Sequence, residues 1–308
     1  MRLIDPSYEI ISQEEGLLGV YKQIEKAART AYKSEDKIAE GSAQRMVESL
    51  CKLNHGAALE HGTIYLKKRF DVSAIGSYRK NGIQKYDLDP YSKVVCDDHM
   101  DLCNAYITTN ARVIFENGWE DDLQYMCEPT EFHEKRVTVK FITSIGIVRE
   151  ILRHRHFSFL NESTRYCNYS KGKFNNELTF IIPQWIYNIN PNLNIFGEQI
   201  LKALSCEDRA VHAWMSLLTQ VEDDYIYLTT VDEHYVLKAE EARGILPLDL
   251  KSELIVTGFV SDWIHFFRLR SHIAATGKPH PDIQILADPL MQEFIDRGYC
   301  TYEEIHKE

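Results

Sequence analysis

Apolar side chains recur at helical spacing through residues 14–33, where Leu17, Val20, Ile24, Ala27, Ala28 and Ala31 share one face. A second helix is predicted over 39–53, with Ala43, Met46, Val47 and Leu50 inward and Asn54-His55-Gly56 as its stop. Thr63–Leu66 reads as a strand, and residues 98–117 read as helical. The segment 67–136, which contains that helical stretch, has the weakest periodicity and reads as a long insertion or flap. The chain then alternates from Arg136 to Ile142 as a half-buried strand. Ser144 is placed to cap the next helix, which holds Ile145, Ile147, Val148, Ile151 and Leu152.

Further on, Leu178–Ile182 forms a short strand stopped by Pro183, and a long helix is expected over 197–229. In that helix Leu201, Leu204, Ala210, Trp214, Leu217, Leu218, Val221 and Tyr225 point inward. An extended piece, Leu248–Ile255, precedes Phe259, Trp263, Phe266 and Arg270 at i, i+4, i+7 and i+11. Arg270 thus continues an apolar stripe, so it is either paired with a core carboxylate or points into a pocket. A last helix covers 282–297. Strands and helices in this order predict one α+β domain, 1–308, with the 67–136 insertion inside it.

Composition narrows the chemistry. The 308 residues are 44% hydrophobic, enough for a sizeable core, and no apolar run approaches a membrane span of about 20 residues. Seven cysteines with no Cys-x-x-Cys pair, and a start without a signal-peptide core, lead us to expect reduced thiols in a cytoplasmic protein. A net charge of −11 argues against a general nucleic-acid binder. Against that background Arg153-His154-Arg155-His156 through Ser163-Thr164-Arg165-Tyr166 stands out as a local cationic site. Guanidinium forks suit phosphate oxygens, and Asn161 and Ser163 can bond a sugar or base. A surface loop paired with the abundant acids is the competing reading. Glu240 and Arg243, at i, i+3, read as an exposed ion pair. Ser163 has no neighbouring base with triad logic. A metal-dependent hydrolase built on His55, His61, His154 and His156 is disfavoured, because their spacings match no zinc pattern.

Arg153-His154-Arg155, seven residues, then Ser163 and Arg165-Tyr166 resembles the signature of the flavin-dependent thymidylate synthases. His55-x4-Glu60-His61, Glu240-x-Ala-Arg243-x-x-Leu-Pro247 and Arg-Leu-Arg270 follow in that family's order, so the likeness covers roughly 14–66 and 136–290. The resemblance implies a mixed or antiparallel sheet flanked by helices, assembled as a homotetramer with FAD at subunit interfaces. It implies methylation of dUMP to dTMP, with 5,10-methylenetetrahydrofolate as carbon donor and NADPH as reductant, and neither a metal nor a nucleic-acid or membrane partner.

By position, Arg153, His154, Arg155 and Asn161 would contact FAD, with Ala57, Glu60, Phe259, Ser261 and His265 at further flavin positions. Glu150, Arg153, Asn161, Glu162, Ser163, Thr164 and Arg165 would line the dUMP site, joined by Arg243 from another subunit. Arg270 would lie against the uracil and favour ionisation of N3; Ser163 would orient the substrate, and His55 would sit near the isoalloxazine ring. Departures from the family's pattern fall at Ala57, Leu160, Asn161, Phe259 and His265, and four extra residues follow Arg270 near Thr276-Gly277-Lys278. A non-catalytic flavin- or nucleotide-binding protein on the same scaffold is the alternative.

Overall fold

In the computed structural model, which describes residues 1–71, 77–99, 102–189, 199, 208–230 and 236–307, the central layer is a four-stranded sheet. Its order is β2 (Ser7–Ile11), β6 (Arg136–Ser144), β9 (Lys251–Phe259) and β7 (Ser158–Asn161), and every pairing is antiparallel. The strand β9 lies between two neighbours and is buried almost throughout, which suits its run Leu254-Ile-Val-Thr. The pleat sends Leu254 and Val256 to one face and Ile255 to the other. On the first face they meet Trp263, Phe266 and Phe267 of helix Val260–Arg270, and Ile283, Leu286, Leu290 and Phe294 of helix Pro281–Asp296. On the second face Ile255 meets Ala27 of helix Gly16–Tyr32.

Most of the described residues of the 67–136 segment form regular elements, where weak periodicity suggests an insertion or flap. A second sheet, of order β3-β5-β4, joins β3 (Thr63–Asp71), β4 (Lys93–His99) and β5 (Leu102–Asn110). Ile64, Leu66, Phe70, Cys103, Ala105 and Ile107 share a core with Val20 and Ile24 of helix Gly16–Tyr32. The helix expected over 98–117 is therefore mostly strand, and only Ala111–Glu116 is helical. The residues Tyr106-Ile-Thr-Thr109 favour a pleated surface, and Asn110 ends the strand by capping, accepting from the Val113 N–H at 3.1 Å.

A parallel pair, β1 (Arg2–Ile4) with β8 (Thr179–Ile181), packs against helix Arg209–Thr230 through Leu3, Phe180, Val211, Leu218 and Tyr225. Of the helix expected over 197–229, residues 197–198 and 200–207 lie outside the described residues. Among the described residues no helix is long and apolar enough to cross a membrane.

Candidate functional site

Ser144 accepts from the Ile147 N–H at 3.3 Å and starts helix Ile145–Ile151 as its residue type predicts. The helix stops earlier than expected, so Arg153-His154-Arg155 forms the turn after it. The His154 N–H donates to the Ile151 carbonyl at 3.0 Å and the Phe157 N–H to the His154 carbonyl at 3.1 Å. Phe157 pins the turn to the sheet, its ring centre 4.5 Å from that of Trp263. Gly258 makes room for it, since a Cβ there would lie 2.2 Å from a ring carbon of Phe157. With Phe157 seated, Arg153 and Arg155 stay in solvent while His154 is buried.

Arg270, the last residue of helix Val260–Arg270, reaches this turn. Its Nη1 pairs with Glu150 Oε2 at 2.8 Å, its Nη2 donates to the Glu150 carbonyl at 3.1 Å, and its Nε donates to His154 Nε2 at 3.0 Å. The partner expected for Arg270 is a core carboxylate; Glu150 is instead half-buried. Arg270 also lines a cavity of about 780 Å³ with Arg153, Arg155, His156, Asp262, His265 and Leu269. Three of its five N–H donors are engaged, which leaves two for a ligand.

His154 accepts from Arg270, so its proton sits on Nδ1 and the ring is neutral. Burial, then the Arg270 charge and His265, pushes its pKa down to about 4 from the ordinary 6.5. The unfolded chain thus binds a proton that the folded chain refuses between those values, and stability falls as pH drops through this window. A gap of that size corresponds to roughly 3 kcal/mol. His154→Asn is expected to flatten the dependence of urea-unfolding stability on pH between 6.5 and 4; an unchanged slope would disprove the assignment.

The second half of the motif lies at the opposite end of β7, about 13 Å of strand away. The Ser163 N–H donates to the Ala31 carbonyl at 3.0 Å, and the Glu162 N–H to the Glu253 carbonyl at 2.7 Å. Glu162 turns inward, taking the Tyr169 hydroxyl at 3.0 Å and Lys251 Nζ at 2.7 Å. Beside it Glu253 is held by Lys33 at 2.7 Å, Lys251 at 2.9 Å and Lys140 at 2.5 Å. Arg165, exposed, pairs with Glu240 at 3.3 Å, so Glu240 takes this partner rather than Arg243. Arg243 is exposed and makes no ion pair among the described residues. Asn161 donates to the Glu162 carbonyl at 3.2 Å, and Thr164 is half-buried.

The remaining candidates form a third group. His55 is the exposed cap of the short helix Gly56–Leu59, with Ala57 exposed beside it. Glu60 pairs with Arg112 at 2.5 Å, and its carbonyl takes Arg136 Nη1 at 3.0 Å. His61 is buried against Thr257 Oγ1 at 2.8 Å. Among the described residues no three His, Cys, Asp or Glu side chains gather as a metal site. Phe259 and Ser261 both contact Lys93 of β4. Sequence reasoning missed Lys93 altogether. It also passed over Arg136, although a cation at the head of an alternating strand was a signal.

A family model described as "Thymidylate synthase complementing protein" matches residues 124–297, more than half of the chain. A flavin-dependent thymidylate synthase of Synechocystis is 30% identical over 157 residues, covering 51% of this chain and 66% of the relative. That of Mycobacterium avium is 27% identical over 147 residues, covering 47% and 51%. The chain thus spans about half to two thirds of the length of these relatives. A crystal structure of thymidylate synthase X from Helicobacter pylori, with FAD and dUMP, aligns over 98% of this chain and all of that one. Its identity is 14% and its TM-score 0.39, too low to carry an argument. The likeness first seen in Arg153 to Arg165 therefore extends over a matched family domain: the chain belongs to the thymidylate synthase complementing protein family, that of the flavin-dependent thymidylate synthases.

Proposed function

We propose that the protein is an FAD-dependent thymidylate synthase, methylating dUMP at C5 with 5,10-methylenetetrahydrofolate as carbon donor and NADPH as reductant. The observation that carries this reading is Arg270, fixed by Glu150 and His154 at the wall of a cavity that Arg153 and Arg155 also line. Two exposed guanidiniums with few local acids suit a diphosphate, so the residues fit FAD. Arg153, His154, Arg155 and His265 would hold it, with Phe259 and Ser261 alongside. When bound, the flavin supplies hydride transfer, and the protein binds, orients and excludes competing reactions.

The chain's own contribution to dUMP chemistry is electrostatic. Arg270 stays protonated and cannot act as a base. Its two spare donors, aimed at a uracil carbonyl and N3, would favour the ionised ring and so enrich C5 in electron density. Ser163 and Arg165 would orient the sugar phosphate. Ser163 and Arg165 are not among the residues lining the 780 Å³ cavity that Arg270 lines. That separation supports a site completed between subunits of a homotetramer, with Arg243 reaching dUMP from another copy. The odd set of cysteines without a close pair supports a cytoplasmic setting.

The purified protein should be yellow, with the visible absorbance of an oxidised flavin, and should oxidise NADPH faster when dUMP is added. A colourless protein that binds neither FAD nor dUMP by calorimetry would overturn the proposal.

A further inference from the structure

The 67–136 segment brings a cation to the edge of the cavity just described. Lys93 opens β4, and its Nζ donates to Ser261 Oγ at 2.7 Å and lies 4.5 Å from the centre of the Phe259 ring. It also pairs with Glu134 at 3.7 Å. Lys93 also lines a smaller cavity of about 130 Å³ with Arg136, His156, Ser158 and Asp262. His156 and Asp262 line the 780 Å³ cavity as well, so the two spaces are neighbours that share these side chains.

Arg136 is the second cation there, and its bonding is incomplete. Its Nη1 donates to the Glu60 carbonyl at 3.0 Å and to Thr63 Oγ1 at 3.3 Å, and its Nη2 to Ser158 Oγ at 3.4 Å. All three acceptors are neutral. Its Nε is buried without a partner. Arg136 is half-buried, and a guanidinium so placed, with its Nε buried and no carboxylate in ion-pair contact among the described residues, is costly unless an anion arrives. The one carboxylate lining the small cavity, Asp262, accepts from the Phe259 N–H at 3.1 Å as the cap of helix Val260–Arg270. Burial raises its pKa, and the charges of Lys93, His156 and Arg136 oppose that rise.

We propose that Lys93 and Arg136 form an anion subsite at the end of the large cavity, and that it takes a phosphate of bound FAD. The 67–136 sheet then supplies part of the cofactor site. This inference rests on the flavin reading above. It is consistent with Phe259 and Ser261, two positions without charge, being the ones Lys93 touches.

The test measures FAD, FMN and riboflavin binding to the whole protein by quenching of flavin fluorescence, in wild type, Lys93→Ala, Lys93→Gln and Lys93→Arg. Lys93→Ala and Lys93→Gln should weaken FAD or FMN about tenfold or more and riboflavin less than twofold, as loss of one charge-assisted contact requires. Lys93→Arg should stay within about threefold, and the alanine variant should show a shallower dependence of binding on salt. Equal weakening of all three flavins would make Lys93 a clip between the two sheets and overturn the proposal. So would FAD and FMN affinities unchanged in both Lys93→Ala and Lys93→Gln, including the case where only the KM for NADPH or for the folate rises. If wild type binds no flavin, the function proposed above fails instead.

Discussion

Arg270→Ala is expected to lower dTMP formation by about 100- to 1,000-fold, the usual loss when one preorganised donor to developing negative charge is removed. FAD should remain bound, because Arg153 and Arg155 do not depend on Arg270 for their position: the turn that carries them is held by backbone bonds and by Phe157. Arg270→Lys should not restore the rate. One ammonium cannot hold Glu150 and His154 in this geometry and still present two donors to a ring edge. Quantifying dTMP by chromatography beside the flavin absorbance of each variant checks this. An alanine variant within tenfold of wild type would remove Arg270 from the chemistry. A yellow wild type that makes no dTMP would instead favour a non-catalytic flavin- or nucleotide-binding protein.

Glu253→Gln is expected to cost about 3–5 kcal/mol of stability in urea unfolding, since it strands a buried set of charges. Glu253 lies between Lys33, Lys140 and Lys251, and its own burial is nearly complete. Burial alone would raise its pKa; the Lys251 charge and the bonds from Lys140 and Lys33 outweigh that and hold it well below the ordinary 4.5. A depressed folded pKa contributes stability that is present above the unfolded value and lost as pH falls below it. Wild type should therefore lose stability steeply below about pH 4.5, a range separate from that of His154, and Glu253→Gln should lack this acid limb. A variant within 1 kcal/mol of wild type would show that the cluster is not cooperative. The same substitution should raise the KM for dUMP, because Lys251 bridges the Glu253 and Glu162 carboxylates and loses one of them, loosening Glu162 immediately before Ser163.

Much of this arrangement was legible in the chain. The alternation from Arg136 to Ile142, the Ser144 cap and the stripe Phe259, Trp263, Phe266, Arg270 each state a local preference that the fold keeps. The motif residues were legible as a group for a different reason: the density of guanidiniums is costly without an anion. What could not be read depended on contacts distant in sequence. Residues 98–117 carry both a strand and a helix, and only pairing of β5 with β3 and β4 decides in favour of strand. Glu240 has Arg243 at helical spacing, yet Arg165, 75 residues away, is its partner. Glu162 sits in sequence among residues expected to face a ligand but is drawn inward by Lys251 and Tyr169. Lys93 lies 168 residues from Ser261, and no local pattern marks it.

The seven residues between Arg155 and Ser163 can be understood as a ruler. Four of them are β7, with Phe157 seated over Gly258 at one end and Glu162 tied to Glu253 at the other. Because successive side chains on a strand face opposite ways, one residue added or removed would invert the phase between these anchors. Glu162 would then face away from Lys251 while Phe157 kept its seat. Two added residues would restore the phase but overshoot the second anchor by about 7 Å. The spacing in this motif is therefore a length and a parity together, and β7 fixes both.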